Sequence, residues 1–227
     1  MKVLIAGASG SIGGEFLTHL LRRSEVTKII ALTRKPLPEL PSKVENILVS
    51  DFGDWEHLGD EKWEKIRDAD AMVWAIGTYT LNEDVNMRYP LSFQEAFVAH
   101  LPVSQNGKTS KFRFILLSGA YVEPDQSRTL LFLPQQRRIK GITETKTIEF
   151  GERHEKVWEA LVIRPSGILI GKSLKNSLAS FVFGNMLLRG EELGAFVANL
   201  VVNGSEETVI KHSTIVERGR ELLHEVE

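Results

Sequence analysis

Residues 3–21 read VLIAGASGSIGGEFLTHLL, and this stretch decides the fold. It opens with apolar residues, passes through glycines at 7, 10 and 13, and continues as an amphipathic run. A buried strand, a tight turn and a helix fit that order. Gly7 makes the turn, Gly10 lets a phosphate group approach the backbone, and Gly13 permits close packing of helix on strand. The helix start adds free N–H groups and the positive end of a dipole. Gly7, Ser9, Gly10, Ser11, Ile12 and Gly13 are therefore the expected cradle for a diphosphate.

The pattern repeats downstream. Short apolar runs at 2–6, 28–32, 45–50, 70–76, 112–118 and 159–165 read as strands. Near-continuous apolar strands suit a parallel sheet covered on both faces. The stretches 12–23, 54–67, 83–101 and 134–155 read as helices between them. The order predicts an α/β fold with a doubly wound parallel sheet of Rossmann type and right-handed crossovers. After residue 170 the strand signal fades, and 177–189, 191–202 and 206–226 read as helical or mixed. We expect one domain over 1–227, with 171–227 as a small helical extension on the substrate side.

Composition narrows the function. The chain carries 42% hydrophobic and 26% charged residues and a formal net charge of −2. No basic field is present to hold a phosphodiester backbone, so nucleic acid is not expected as a partner. No apolar stretch reaches the length of a membrane span; the longest candidate is interrupted by Arg189, Glu191 and Glu192. The absence of cysteine excludes disulfides and thiolate chemistry and fits a reducing, cytoplasmic setting. The six histidines have no paired ligand spacing, so no metal is expected. A homodimer is left open.

The second strand indicates which dinucleotide. An acidic residue at its end would bind a ribose diol, the mark of NAD. Thr33, Arg34 and Lys35 stand there instead. A guanidinium can clamp a 2′-phosphate through charge-assisted hydrogen bonds, which favours NADP(H). A solvated loop is the plainer reading of the same two cations. After the third strand, Asp51 and Phe52 are expected to border the adenine.

Several motifs then occur in order: GASGSIG at 7–13, WAIGT at 74–78, LLSGA at 116–120, Lys140, and IRPSGIL at 163–169. Together they resemble the short-chain dehydrogenase/reductase superfamily in its atypical or extended branch, over about residues 1–170. Within that branch the chain is similar to small proteins related to the Tat-interacting protein. The resemblance implies that Ala75, Ile76, Gly77 and Thr78 border the cofactor ribose and that Ser118 hydrogen-bonds a substrate carbonyl. It further implies that Lys140 holds the nicotinamide ribose and that Arg164 and Pro165 form the turn beside the nicotinamide amide.

One position departs from the family pattern. The residue four before the lysine is ordinarily a tyrosine that donates a proton; here it is Gln136. A carboxamide forms hydrogen bonds but has no useful acidity at neutral pH. Loss of a positioned acid lowers a rate by about 10²–10⁴-fold. Tyr121, Tyr79, or Lys140 through water are the candidate replacements, and a substrate that needs no strong acid is another solution. The sequence thus supports an NADP(H)-dependent oxidoreductase acting on a small organic substrate. A non-redox isomerase or cyclase keeping NADP as a scaffold, and a cofactor-sensing regulatory protein, are the alternatives.

Overall fold

The structure, a computed structural model, describes residues 1–78, 80–102, 110–171 and 187–224. Strand β1 (Lys2–Ala6) leads through the glycine turn into α1 (Ser11–Arg22), then β2 (Lys28–Thr33) and β3 (Val44–Leu48). Helix α2 (Asp60–Ile66), β4 (Ala71–Trp74), α3 (Tyr89–His100), β5 (Phe112–Leu117), α4 (Pro134–Arg153) and β6 (Trp158–Arg164) follow. The remaining elements are β7 (Gly167–Leu169), β8 (Leu187–Arg189), α5 (Gly190–Asn203), β9 (Val209–Lys211) and α6 (His212–His224).

The main sheet has seven strands in the order β3-β2-β1-β4-β5-β6-β9. Every ladder in it is parallel. The chain winds outward from β1 to β2 and β3 on one side, and through β4, β5 and β6 on the other. The direction reverses between β1 and β4, which is where open α/β sheets of this kind bind their ligands. β7 and β8 pair separately as a two-stranded ribbon.

Alternation along β1 supplies both cores. Val3 and Ile5 join Phe16 and Leu20 of α1, Val197 and Val201 of α5, and Ile215 of α6. Leu4 and Ala6 join Trp63 of α2, Phe93 and Phe97 of α3, and Phe150 of α4 on the opposite face. Burial on both faces is why the strands read as near-continuous apolar runs.

Two expectations change. The helix expected at 83–101 begins with a π-helical turn, Asp84–Arg88, before α3. The C-terminal segment is also more than a helical extension, because β9 joins the main sheet beside β6, with Val162 opposite Val209. Helix α5 packs on α1 so closely that a Cβ at Gly194 would fall 2.5 Å from the His19 ring, and one at Gly219 of α6 would fall 2.5 Å from the Glu192 carbonyl oxygen. These two helices form the layer on the α1 face. Arg113 of β5 fastens that layer: it pairs with Glu159 at 2.5 Å and donates to the Val201 carbonyl at 2.5 Å, near the negative end of α5. The part of the 177–189 segment before residue 187 lies outside the described residues. Among the described residues no helix is long and apolar enough to cross a membrane.

Candidate active site

The glycine turn is set by close approach. Gly7 adopts φ +91°, and a Cβ there would sit 2.9 Å from the Ala75 backbone. At Gly13 a Cβ would fall 2.0 Å from the Gly7 carbonyl oxygen, so neither position admits a side chain without moving backbone. The Gly10 N–H donates to the Gly7 carbonyl at 3.0 Å, and the Gly14 N–H donates to the Gly10 carbonyl at 2.8 Å as the first bond of α1. The N–H groups of Ser11, Ile12 and Gly13 precede that bond, as the first donors of a helix must. Ser9, Gly10 and Ser11 are exposed, and the first turn carries no acidic residue. A cradle open to solvent, free of negative charge and lined by helix-start donors fits a diphosphate.

At the end of β2, Thr33 is buried, and its hydroxyl donates to the Lys35 carbonyl at 2.7 Å. Asn46 on β3 binds the same bend from three sides. Its amide nitrogen donates to the Ala31 carbonyl at 2.8 Å and to the Thr33 hydroxyl oxygen at 2.7 Å, and its carbonyl oxygen accepts the Leu37 N–H at 2.9 Å. Arg34 and Lys35 are thereby held on an exposed loop beside the cradle. Asp51 accepts the Gly53 N–H at 2.7 Å, closing the turn after β3. Phe52 departs from expectation: it is 2% exposed, with ring centroids 5.7 Å from Trp55 and 5.8 Å from Trp74, so its ring packs in the core and has no face for an adenine.

Beyond the cradle, a cavity of about 350 Å³ opens over the C-terminal ends of β4, β5 and β6. Ser118, Tyr121, Gln136 and Lys140 line it, together with Ile12, Ala75–Thr78 and Pro165. Residues from five separate segments, distant in sequence, thus converge on one space. Gln136 and Lys140 share one face of α4, as their spacing requires. Lys140 reaches the bend after β4, since its Nζ would stand 4.0 Å from a Cβ at Gly77. Burial holds the lysine below its ordinary pKa, and the Glu144 carboxylate opposes part of that shift. Tyr121 is 68% exposed at the mouth. Tyr79 lies outside the described residues. Leu133, which precedes α4, has φ +44°, a conformation costing about 1–2 kcal/mol for an L-residue.

Arg164 does not line the cavity. Its guanidinium turns to Glu144, donating from Nε at 2.9 Å and again from its terminal nitrogen, and Glu144 is 1% exposed. The pair ties β6 to α4 one turn past Lys140, and the turn faces the site through Pro165, Ser166 and Gly167 instead. Two further residues were given no role of their own from the sequence. Asn86, buried in the π turn, accepts the Thr78 N–H at 3.0 Å, while its own carbonyl stands 3.0 Å from the Thr143 hydroxyl of α4. It thereby joins the β4 bend to the lysine helix. Gly141 lets the loop bearing Tyr121 lie against that helix, with the Glu123 carbonyl oxygen 1.9 Å from where a Cβ would stand. A glycine in mid-helix was the signal for Gly141; Asn86 lies among other polar residues, Asn82, Glu83, Asp84 and Arg88, and carried none.

No family model matches the chain. It is 28% identical over 192 residues to the leucinostatins biosynthesis cluster protein T of Purpureocillium lilacinum, covering 80% of this chain. The chain spans 62% of that relative's length. Among solved structures it is similar to an oxidoreductase of the short-chain dehydrogenase/reductase family from Burkholderia thailandensis, with TM-score 0.69, 14% identity, and coverage of 99% of this chain and 96% of that one. A short chain dehydrogenase from Burkholderia cenocepacia in complex with NADP gives TM-score 0.63 at 14% identity, covering 99% and 96%. A dTDP-glucose 4,6-dehydratase from Bacillus anthracis in complex with NAD gives 0.63 at 15% identity, covering 99% and 81%. The chain has the Rossmann fold of these proteins.

Proposed function

We propose that the protein is an NADP(H)-dependent oxidoreductase of the atypical short-chain dehydrogenase/reductase type that reduces a small organic substrate without the usual tyrosine acid. The observation carrying this reading is the meeting of Ser118, Gln136 and Lys140 in one cavity next to the glycine cradle. The cradle at Gly7–Gly13 would hold the diphosphate, and Arg34 and Lys35 would hold the 2′-phosphate. When bound, the reduced coenzyme supplies a hydride.

The chain's own residues divide the remaining work. The Ser118 hydroxyl donates a hydrogen bond to a substrate carbonyl oxygen. Gln136 contributes a carboxamide N–H that orients the same oxygen without releasing a proton. The proton comes from Lys140 Nζ, whose lowered pKa makes its ammonium a better acid than an ordinary lysine. Tyr121, exposed at the rim, is the second candidate donor. Apolar walls exclude water and strengthen each of these interactions.

The test is a pair of measurements on the whole chain: NADPH affinity by fluorescence titration, and NADPH oxidation against a panel of aldehydes, enones and quinones. Tight binding with oxidation of at least one class supports the reading. Product formation with no net coenzyme change points to an isomerase or cyclase. Tight binding with neither points to a sensor, the reading that an amide in place of the acid also allows.

A further inference from the structure

We infer that the substrate carries its reacting carbonyl on a hydrocarbon body, which runs out of the cavity over Phe132 and Leu133. This rests on the reading of Ser118 and Lys140 as the reacting end. The polar side chains cluster at that end. Among the described residues the other walls include Ile12, Val122, Phe132, Leu133 and Ile168, with Arg137 and Ser166 beside them, and no carboxylate lines the cavity. A sugar has a hydroxyl on nearly every carbon, and several would face these walls with no partner, each paying for lost water. A hydrocarbon body has no such penalty.

The apolar surface continues past the mouth. Leu131 is 100% exposed, Phe132 69% and Tyr121 68%. Large exposed apolar side chains continuous with a cavity are one form a ligand groove takes. The groove is also held in shape. Arg137 donates from Nε to the Tyr121 carbonyl and, at 3.5 Å, to the Phe132 carbonyl, stitching the two lips together. Its guanidinium serves as a brace there. The left-handed backbone at Leu133 keeps that side chain in the cavity wall, a strain of the kind found at ligand clamps.

The experiment measures binding of butanol, hexanol, octanol and decanol to the NADPH-loaded protein by calorimetry, alongside reduction of the matching aldehydes. Affinity is expected to rise about two- to fourfold per methylene. Phe132→Gln and, separately, Leu131→Gln should flatten the longer end of the series; both side chains are exposed, so neither change disturbs a core. Equal affinity across the series, or a steep series unaltered in both variants, would overturn the inference, as would glucuronate binding more tightly than octanol. A steep alcohol series with no aldehyde, enone or quinone reduced would keep the hydrocarbon body and remove the redox reading. Reduction with no length dependence would do the reverse.

Discussion

The Glu123 carbonyl oxygen occupies the space that a Cβ at Gly141 would need, 1.9 Å away. The loop that carries Tyr121 therefore rests directly on the backbone of α4, one residue past Lys140. Gly141→Ala should force the two apart. Overpacking of this kind costs about 1–3 kcal/mol, or about 2–4 °C of Tm per kcal/mol at this chain length. A Cβ at Gly119 meets nothing within 4 Å, so Gly119→Ala should unfold at nearly the native temperature. Thermal unfolding of both variants checks the contrast; equal midpoints would mean the loop yields freely.

The Glu144–Arg164 pair should behave as a buried unit. Glu144→Gln leaves the guanidinium facing a neutral amide and should cost about 3 kcal/mol, because breaking one side of a buried pair leaves the other uncompensated. Replacing both by leucine should recover part of that loss. Urea unfolding of Glu144→Leu, Arg164→Leu and the double leucine variant measures the coupling.

Lys140 gives a pH signature whose sign follows from burial. Its native pKa lies below the ordinary lysine value of 10.5, so between the two the unfolded chain binds more protons than the folded one. Stability should therefore climb with pH through that window, relative to Lys140→Met. Removing the Glu144 charge takes away the influence that raises this pKa, so Glu144→Gln should start the climb at lower pH. Urea midpoints taken from neutral pH to about pH 10 test both statements. A flat difference between wild type and Lys140→Met would mean that the ammonium is as well solvated as a surface lysine.

Arg34→Ala should reduce the preference for NADPH over NADH by about 10- to 100-fold, the worth of a charge-assisted hydrogen bond. Asn46→Ala should move the ratio the same way by less, since it releases the loop that presents Arg34 without removing the charge. Paired titrations with the two coenzymes read the ratio directly. An unchanged ratio in Arg34→Ala would remove the 2′-phosphate assignment.

How far the sequence could be read follows from how local each signal was. The glycine turn, β1 and α1 were legible because their constraints lie within a few residues. β1, β2 and β4 were legible because burial on both faces makes them almost wholly apolar, and β3, β5 and β6 because a charged residue such as Glu45, Arg113 or Glu159 interrupts an apolar run only briefly. β9 escaped because three residues, Val209–Lys211, carry no periodicity. Asn86 escaped because its partners are Thr78 and Thr143, distant along the chain. Arg164 was placed beside the nicotinamide because nothing local reveals that Glu144 claims its guanidinium from 20 residues away. Phe52 was given to the adenine because a strand end looks the same whether its aromatic ring turns outward or into a core.

The two-sided core leaves an optical asymmetry. All four tryptophans, Trp55, Trp63, Trp74 and Trp158, belong to the cluster under α2, α3 and α4, and the cluster under α1, α5 and α6 has none. Indole emission thus reports one half of the molecule and is blind to the other. Should the half that carries α1, α5 and α6 loosen first on heating or in urea, ellipticity would fall while fluorescence held steady. A separation of the two curves would mark that order of events without any added label.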